Sequence, residues 1–339
     1  MVIITSDVTN SWMSLCGNTI GYKNLSQIVI PGSHNSGSYS CNGSYGLSPE
    51  YPGPSWMYYF TNIVKRWTVD QEFNIYHQLL SGIRCLDLRV AIQTTQDNIQ
   101  YRVHHGYYGE TLTNIMSQIE RFYQQHPKEF VIINFRHFIK PGNLSGSHTH
   151  SSQWSPEDHI RFYTKVIQPL EHIIIKSKHC YHTLDSLWDK KPRLVIVYGD
   201  NRDSYTSSII SSDCLESSRK YLVNGYSNFC DLWPNKSTPS SVYRWLSTKL
   251  DSQGLKYQGF LQCQLLTTAT KNKIILGLLF PCFYPSCTRI EAQCMARSNM
   301  IWCRENSYRI NIILLDWTTT QSIVDIIKFN QSPIFQTSI

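Results

Sequence analysis

Short apolar runs that end in a polar or charged residue recur along this chain, and their spacing constrains the fold more than any other feature. Runs rich in β-branched residues fall at 27–30, 83–91, 99–104, 130–137, 193–199, 258–266 and 310–316. Most are short and continuously apolar, as expected of strands buried on both faces in a parallel sheet. Helical spacing predicts helices between them at 111–125, 156–175, 240–250 and 290–299, with a last one at 321–328. Alternating strand and helix predicts an α/β fold, a single TIM-type (β/α) barrel. Seven strands can be counted. An eighth is expected within 220–228, failing which the barrel is irregular or distorted. No linker, charge block or repeat interrupts the 339 residues, so 12–330 reads as one barrel after a short 1–11 extension. In such barrels the chemistry gathers at the C-terminal ends of the strands.

Composition removes several classes of function. The formal charge of +7 comes from scattered Lys and Arg, not from the basic stripe of a nucleic-acid binder. The eleven cysteines contain no Cys-x-x-Cys pair, which argues against a zinc site or disulfide framework and for buried thiols in a reducing compartment. The first ten residues lack the basic start and apolar run of a signal peptide. No stretch reaches the roughly 18 apolar residues of a membrane span. The expectation is a soluble, cytoplasmic chain.

Two loops are dense in aromatic residues. Residues 40–68 carry Tyr45, Tyr51, Trp56, Tyr58, Tyr59, Phe60 and Trp67; residues 278–289 carry Leu279, Phe280, Phe283 and Tyr284. Such clusters are usually core, but beside a lipid-processing site they can dip into a membrane interface. His148 and His150 in a Ser/Gly-rich loop read as solvated, not as a metal site.

Three strand ends carry chemistry. Ile28-Val29-Ile30-Pro31-Gly32-Ser33-His34 runs from a strand through a Pro-Gly turn to a histidine. Cys85-Leu86-Asp87-Leu88-Arg89 sets a carboxylate and a guanidinium on one face of a strand, because side chains two apart point the same way. Val103-His104-His105-Gly106 ends in a second imidazole. Two imidazoles and an arginine suffice in principle to cleave a phosphodiester without a metal. One ring takes a proton from the attacking hydroxyl, the other protonates the leaving oxygen, and the arginine holds the phosphate.

These segments resemble the phosphatidylinositol-specific phospholipase C family, most closely its small X-domain-only members. Trp12-Met13, Tyr76-His77-Gln78-Leu79-Leu80-Ser81-Gly82-Ile83-Arg84, Phe130 to Phe138, Leu232-Trp233-Pro234-Asn235 and Leu314-Leu315-Asp316 extend the likeness in order along nearly the whole chain. The resemblance implies an enzyme in which the inositol 2-hydroxyl attacks its own 1-phosphate and expels diacylglycerol. His34 matches the general base and His105 the general acid. Asp316 matches the carboxylate that orients the base, a reading favoured over its alternative as the cap of the following helix. Arg89 matches the phosphate clamp of the metal-independent members. Arg89 and Arg136 stand where calcium-dependent relatives keep acidic ligands, so neither metal nor cofactor is expected. Asp87 is expected to orient Arg89 or His105, or to form a plain buried ion pair. Arg136 is expected to contact substrate, and Arg193, Tyr198 and Asp200 are candidates for the inositol ring.

Asn35 departs from the metal-independent pattern, in which an aspartate braces the general acid. An amide there carries no charge to favour imidazolium, so the acid is expected to be weakened and Asn35→Asp to speed turnover. The expected partner is phosphatidylinositol or a related lipid, met by peripheral membrane contact, and not nucleic acid. Two other readings compete. One is a weakened or inactive inositol-lipid headgroup-binding protein, the other a metal-dependent glycerophosphodiester phosphodiesterase.

Overall fold

The computed structural model describes residues 5–50, 61–95, 98–142, 151–199, 202–212, 215–253 and 259–331. Its strands are β1 (Ile30–Ser33), β2 (Cys85–Thr94), β3 (Ile99–His105), β4 (Tyr107–Thr111), β5 (Val131–Pro141) and β6 (Ser151–Gln153). They continue with β7 (Leu194–Tyr198), β8 (Leu222–Asn224), β9 (Phe229–Leu232), β10 (Phe260–Gln264) and β11 (Ile312–Leu315). Eight of them pair side by side in the order β8-β7-β5-β2-β1-β11-β10-β9, every ladder parallel. The result is a distorted, nearly closed TIM-like barrel.

The opening has a simple cause. Only the short helix Gly225–Asn228 separates β8 from β9. Parallel neighbours need a crossover of a dozen or more residues, so these two cannot pair with each other, and no ladder joins them. The expected eighth strand is β8, inside 220–228. β9 has no counterpart among the expected strands. Conversely, the run at 99–104 is not a barrel stave: β3 turns back antiparallel on β2 and hands on to β4. That hairpin brings His105 back over the barrel.

The expected strands are not apolar on both faces. Asp87, Asn134, Arg136, Asp231, Gln262 and Gln264 are all buried, and Arg136 in β5 reaches Asp231 in β9, a contact between non-adjacent strands that only the barrel interior allows. The staves alternate, with Leu86, Leu88, Ile133 and Phe135 between the polar positions, so the upper layer of the barrel is polar. Gly32 in β1 admits close approach, since a Cβ there would sit 2.5 Å from Leu314 Cδ2.

The outer helices fall near their expected places, at Leu112–Gln125, Pro156–Phe162, Pro239–Gln253, Thr288–Asn306 and Thr320–Lys328. The expected 156–175 helix is shorter because it passes into a π turn and then a 3-10 turn containing Pro169. Below the barrel, buried Arg84 bonds Glu129 at 2.8 Å and the Asn10 carbonyl at 2.7 Å, tying down the chain before Trp12.

Candidate active site

Three candidate site residues are followed by a non-glycine residue with positive φ. Asn35 (φ 42°) and Trp317 (φ 45°) follow His34 and Asp316 just beyond β1 and β11, and His137 (φ 52°) follows Arg136 within β5. This left-handed conformation is costly for a side-chain-bearing residue and tends to persist at functional sites.

His34, just beyond β1, is buried, and its Nδ1 lies 2.7 Å from Asp316 Oδ1, just beyond β11. Thr319, not Asp316, caps the last helix, accepting from Ser322 N–H. The two readings of Asp316 thereby separate in favour of the histidine partner. Burial lowers the His34 pKa, but Asp316, then Asp87 and Asp70, raise it by more, so its pKa is raised on balance. Burial and then Asp70 push the Asp316 carboxyl upward against the opposing pull of His34.

His105, at the end of β3, is part-exposed. Its Nδ1 is 2.9 Å from the Thr68 carbonyl and 3.2 Å from Asp70 Oδ2. Both neighbours are acceptors, so Nδ1 carries hydrogen and Nε2 is the nitrogen that titrates. Burial and Arg89 hold its pKa below the usual value despite Asp70 and Glu50. His104, facing the other way, is buried between the His137 carbonyl at 3.1 Å and Glu50 Oε2 at 3.0 Å.

Arg89 pairs with Arg136 in the ladder directly before β2 and β5 shift register, between Arg89 and Ala91. Bulges of this kind re-aim side chains beside active sites. Its ion pair with Glu50 is long, at 3.5 Å, and its Nε has no hydrogen-bond partner. Burial raises the Glu50 carboxyl, but His104 and then Arg89 hold it well below the usual range. Arg89 therefore has donors to spare for an anion.

Three sequence expectations are corrected here, and the two readings of Asp87 separate in favour of the buried ion pair. Arg136 is buried, its donors spent on Asp87 (2.7 Å to Oδ2) and Asp231 (2.8 Å), so it is structural and does not face substrate. Asp87 pairs with Arg136 and accepts from Asn35 N–H at 3.0 Å, orienting neither Arg89 nor His105. Burial raises its carboxyl, but Arg136, His34 and Arg89 hold it well below the usual range. Arg193 stands at the opposite end of β7, donating to the carbonyls of Leu187 (2.8 Å), Trp188 (2.9 Å) and Pro192 (2.9 Å). Tyr198 faces outward, its hydroxyl 2.9 Å from His159 Nδ1 on an outer helix. Asp200, His148, His150 and the aromatic residues between 51 and 60 lie outside the described residues.

Asn35 does not touch His105 by hydrogen bond either. Its Nδ2 donates to Asp70 Oδ2 at 2.7 Å. Asp70 was not anticipated, and Val69-Asp70-Gln71 carries no sequence signal that would single it out. Asp231 was also missed; it accepts from Arg136, Gln262, Gln264 and Arg202. Arg202 is part-exposed and lies 5.1 Å over the Trp233 ring. The Leu232-Trp233-Pro234-Asn235 segment was the only hint of this corner.

Among the described residues, His34, Asp70 and Asp316 could each offer one ligand atom to a cation, all within 4.8 Å of one another. All three are already engaged by hydrogen bonds and ion pairs within the site.

This TIM-like barrel is also the fold of phosphatidylinositol-specific phospholipase C. That structure, solved from Staphylococcus aureus as an F249X mutant, overlays 95% of this chain and 98% of its own, with a TM-score of 0.61 and 15% identity. In sequence, the chain is 30% identical over 139 residues to PI-PLC X domain-containing protein 3 of Danio rerio, covering 39% of this chain and 43% of that one. It is 28% identical over 204 residues to PI-PLC X domain-containing protein 2 of Mus musculus, covering 57% of this chain and 55% of the relative. The match thus spans about half the length of these relatives. No family model matches the chain. By sequence and fold together, the chain is a relative of the PI-PLC X domain-containing protein family.

Proposed function

We propose that this protein is a metal-independent phosphodiesterase that cleaves phosphatidylinositol in the manner of a phospholipase C. The observation that carries the reading is the pairing of His34 and His105, each with Nδ1 against an acceptor, beside an arginine with unspent donors. Nε2 of His34 takes the proton of the inositol 2-hydroxyl as its oxygen attacks the 1-phosphate. Nε2–H of His105 protonates the departing diacylglycerol oxygen, and a cyclic inositol phosphate remains. Arg89 grips the non-bridging phosphate oxygens and stabilises the charge that grows on them. Because nucleophile and phosphate belong to one molecule, the protein's task is positioning and charge stabilisation. Arg202 over Trp233 offers a guanidinium to the ring hydroxyls in place of Arg193.

The substrate sits in a bilayer, and one edge of the site is suited to meet it. Thr288, at the start of a long helix, bonds the Val69 carbonyl at 2.7 Å and receives Trp317 Nε1–H at 2.9 Å, so the segment before it flanks the site. That segment exposes Leu279, Phe280, Phe283 (84% exposed) and Tyr284. Aromatic and aliphatic side chains so displayed favour a membrane interface. No helix among the described residues is long and apolar enough to cross a membrane.

Phosphorus NMR of the protein with phosphatidylinositol micelles in excess chelator tests the reading. A cyclic phosphodiester resonance is expected. Turnover abolished by chelator would favour the metal-dependent class, and binding of inositol phosphate without turnover would favour a headgroup-binding protein.

A further inference from the structure

We propose that Asp70 is the positioning residue for both imidazoles, supplying from another part of the chain the carboxylate that the metal-independent pattern places at position 35. The inference rests on the acid–base roles given above to His34 and His105. One oxygen, Asp70 Oδ2, lies 2.7 Å from Asn35 Nδ2, 3.2 Å from His105 Nδ1 and 3.9 Å from His34 Nδ1. Asp70 is buried at 2% exposure, so its charge is poorly screened by water. Asn35 therefore does not mark decay. Its amide donates to that carboxylate without adding charge and holds Asp70 in place.

The short strap from Thr68 to Gln71 is built for this task. The Thr68 carbonyl accepts from His105 Nδ1. The Asp70 N–H donates to Ser38 Oγ at 2.9 Å, and the Asp70 carbonyl accepts from Trp317 N–H at 2.7 Å. Gln71 Nε2 donates to the carbonyls of His34 (2.8 Å) and Leu315 (2.9 Å). One four-residue segment thus touches the loops that carry the base, its carboxylate and the acid. The charged groups facing His105 are Asp70, Arg89 and Glu50, and those facing His34 are Asp316, Asp87 and Asp70. Asp70 is common to both sets and favours the protonated form of each ring.

The consequence reverses the sequence-based expectation for Asn35→Asp. A second carboxylate would face Asp70 across a 2.7 Å contact. Like charges so close cannot both ionise without cost, so the substitution removes a hydrogen bond and adds repulsion. It should slow turnover, not speed it.

The test compares Asp70→Asn, Asn35→Asp and the exchange of both, using two readouts: phosphatidylinositol cleavage against pH, and the imidazole titrations by NMR. Asp70→Asn should lower the His105 pKa by about one unit or more, the scale for losing an opposite charge at this range. The acidic limb of the rate profile should move down with it, and turnover near neutrality should fall about tenfold or more, because the protonated acid becomes scarcer. The exchanged variant again has one carboxylate facing one amide, and should be faster than either single variant. A purely structural role for Asp70 gives no such reciprocity. An unshifted His105 titration in Asp70→Asn overturns the proposal, as does an exchanged variant no faster than both single variants. If Asp70→Asn fails to fold, the exchanged variant against Asn35→Asp decides alone. If the unmodified protein does not cleave phosphatidylinositol, the functional reading fails, while the titrations still decide whether Asp70 governs the two rings.

Discussion

Asp316→Asn is the substitution that most directly tests the proposed base. As a carboxylate, Asp316 can only accept, and at 2.7 Å it keeps hydrogen on His34 Nδ1 and leaves the Nε2 lone pair free. An amide can turn its NH2 toward the ring. Nδ1 then becomes the acceptor, the hydrogen moves to Nε2, and the ring cannot take a proton from the substrate. Even with the amide oxygen facing His34, the charge that contributes most to raising its pKa against burial is gone. Both effects act in one direction. The loss expected is that of a positioned general base, about 10²- to 10⁴-fold in turnover. His34 must be neutral to act, and its raised pKa stands above the lowered one of His105, so the alkaline limb of the rate profile reports His34. In the variant that limb should move to lower pH while the rate at its plateau falls. Stability follows the same sign. A raised folded-state pKa contributes stability that is present below the unfolded value and lost as pH rises through the folded one. That contribution should shrink in Asp316→Asn. Cyclic phosphate production would be followed by phosphorus NMR from pH 5 to 9 in chelator, with urea unfolding to establish that the fold is kept. A folded variant that retains half its activity, or one whose alkaline limb stays in place, would refute the assignment of Asp316 as the partner of the base.

Arg89→Met should lower turnover by about 10²- to 10³-fold, the cost of removing a preorganised donor, yet barely move the urea midpoint, since its only ion pair among the described residues is a 3.5 Å contact with Glu50; a large loss of stability with activity retained would count against the phosphate role. His159, buried among aromatic rings, has its pKa pushed down to about 4, chiefly by burial. A depressed folded-state value means stability that is present above 6.5 and lost as pH falls toward 4, a loss of about 3 kcal/mol. His159→Phe should flatten the pH dependence of urea unfolding over that window, and an unchanged slope would be contrary. Leu279→Ser with Phe283→Ser should weaken binding to phosphatidylinositol vesicles at least ~10-fold, since burying one large apolar side chain is worth about 1.5–3 kcal/mol. Equal vesicle binding by that variant would remove this rim from the membrane contact.

Much of this protein was legible before any coordinates because it is written locally. Alternation of apolar runs with helical spacing specifies a βα succession, and the one stable way to bury such strands together is a parallel sheet covered by helices, here curled into a barrel. His34 and Asp316, which abut a stave's end in sequence, could be found for the same reason, since the chain itself delivers them to the C-terminal rim, whereas Arg89 stands within β2 and His105 reaches the rim on a hairpin. What needed the tertiary structure is everything decided across strands. β9 was missed because four residues with one charge among them look like a loop until β10 pairs with it. Arg136 was taken for a substrate contact because its sequence neighbours cannot reveal that Asp87 and Asp231 consume its donors from other staves. Asn35 read as a loss because the charge that answers it lies 35 residues away, on a strap between helix and helix with no pattern of its own. Sequence periodicity records which way a side chain leaves its own backbone, and an ion pair or shared carboxylate depends on which backbone comes to meet it.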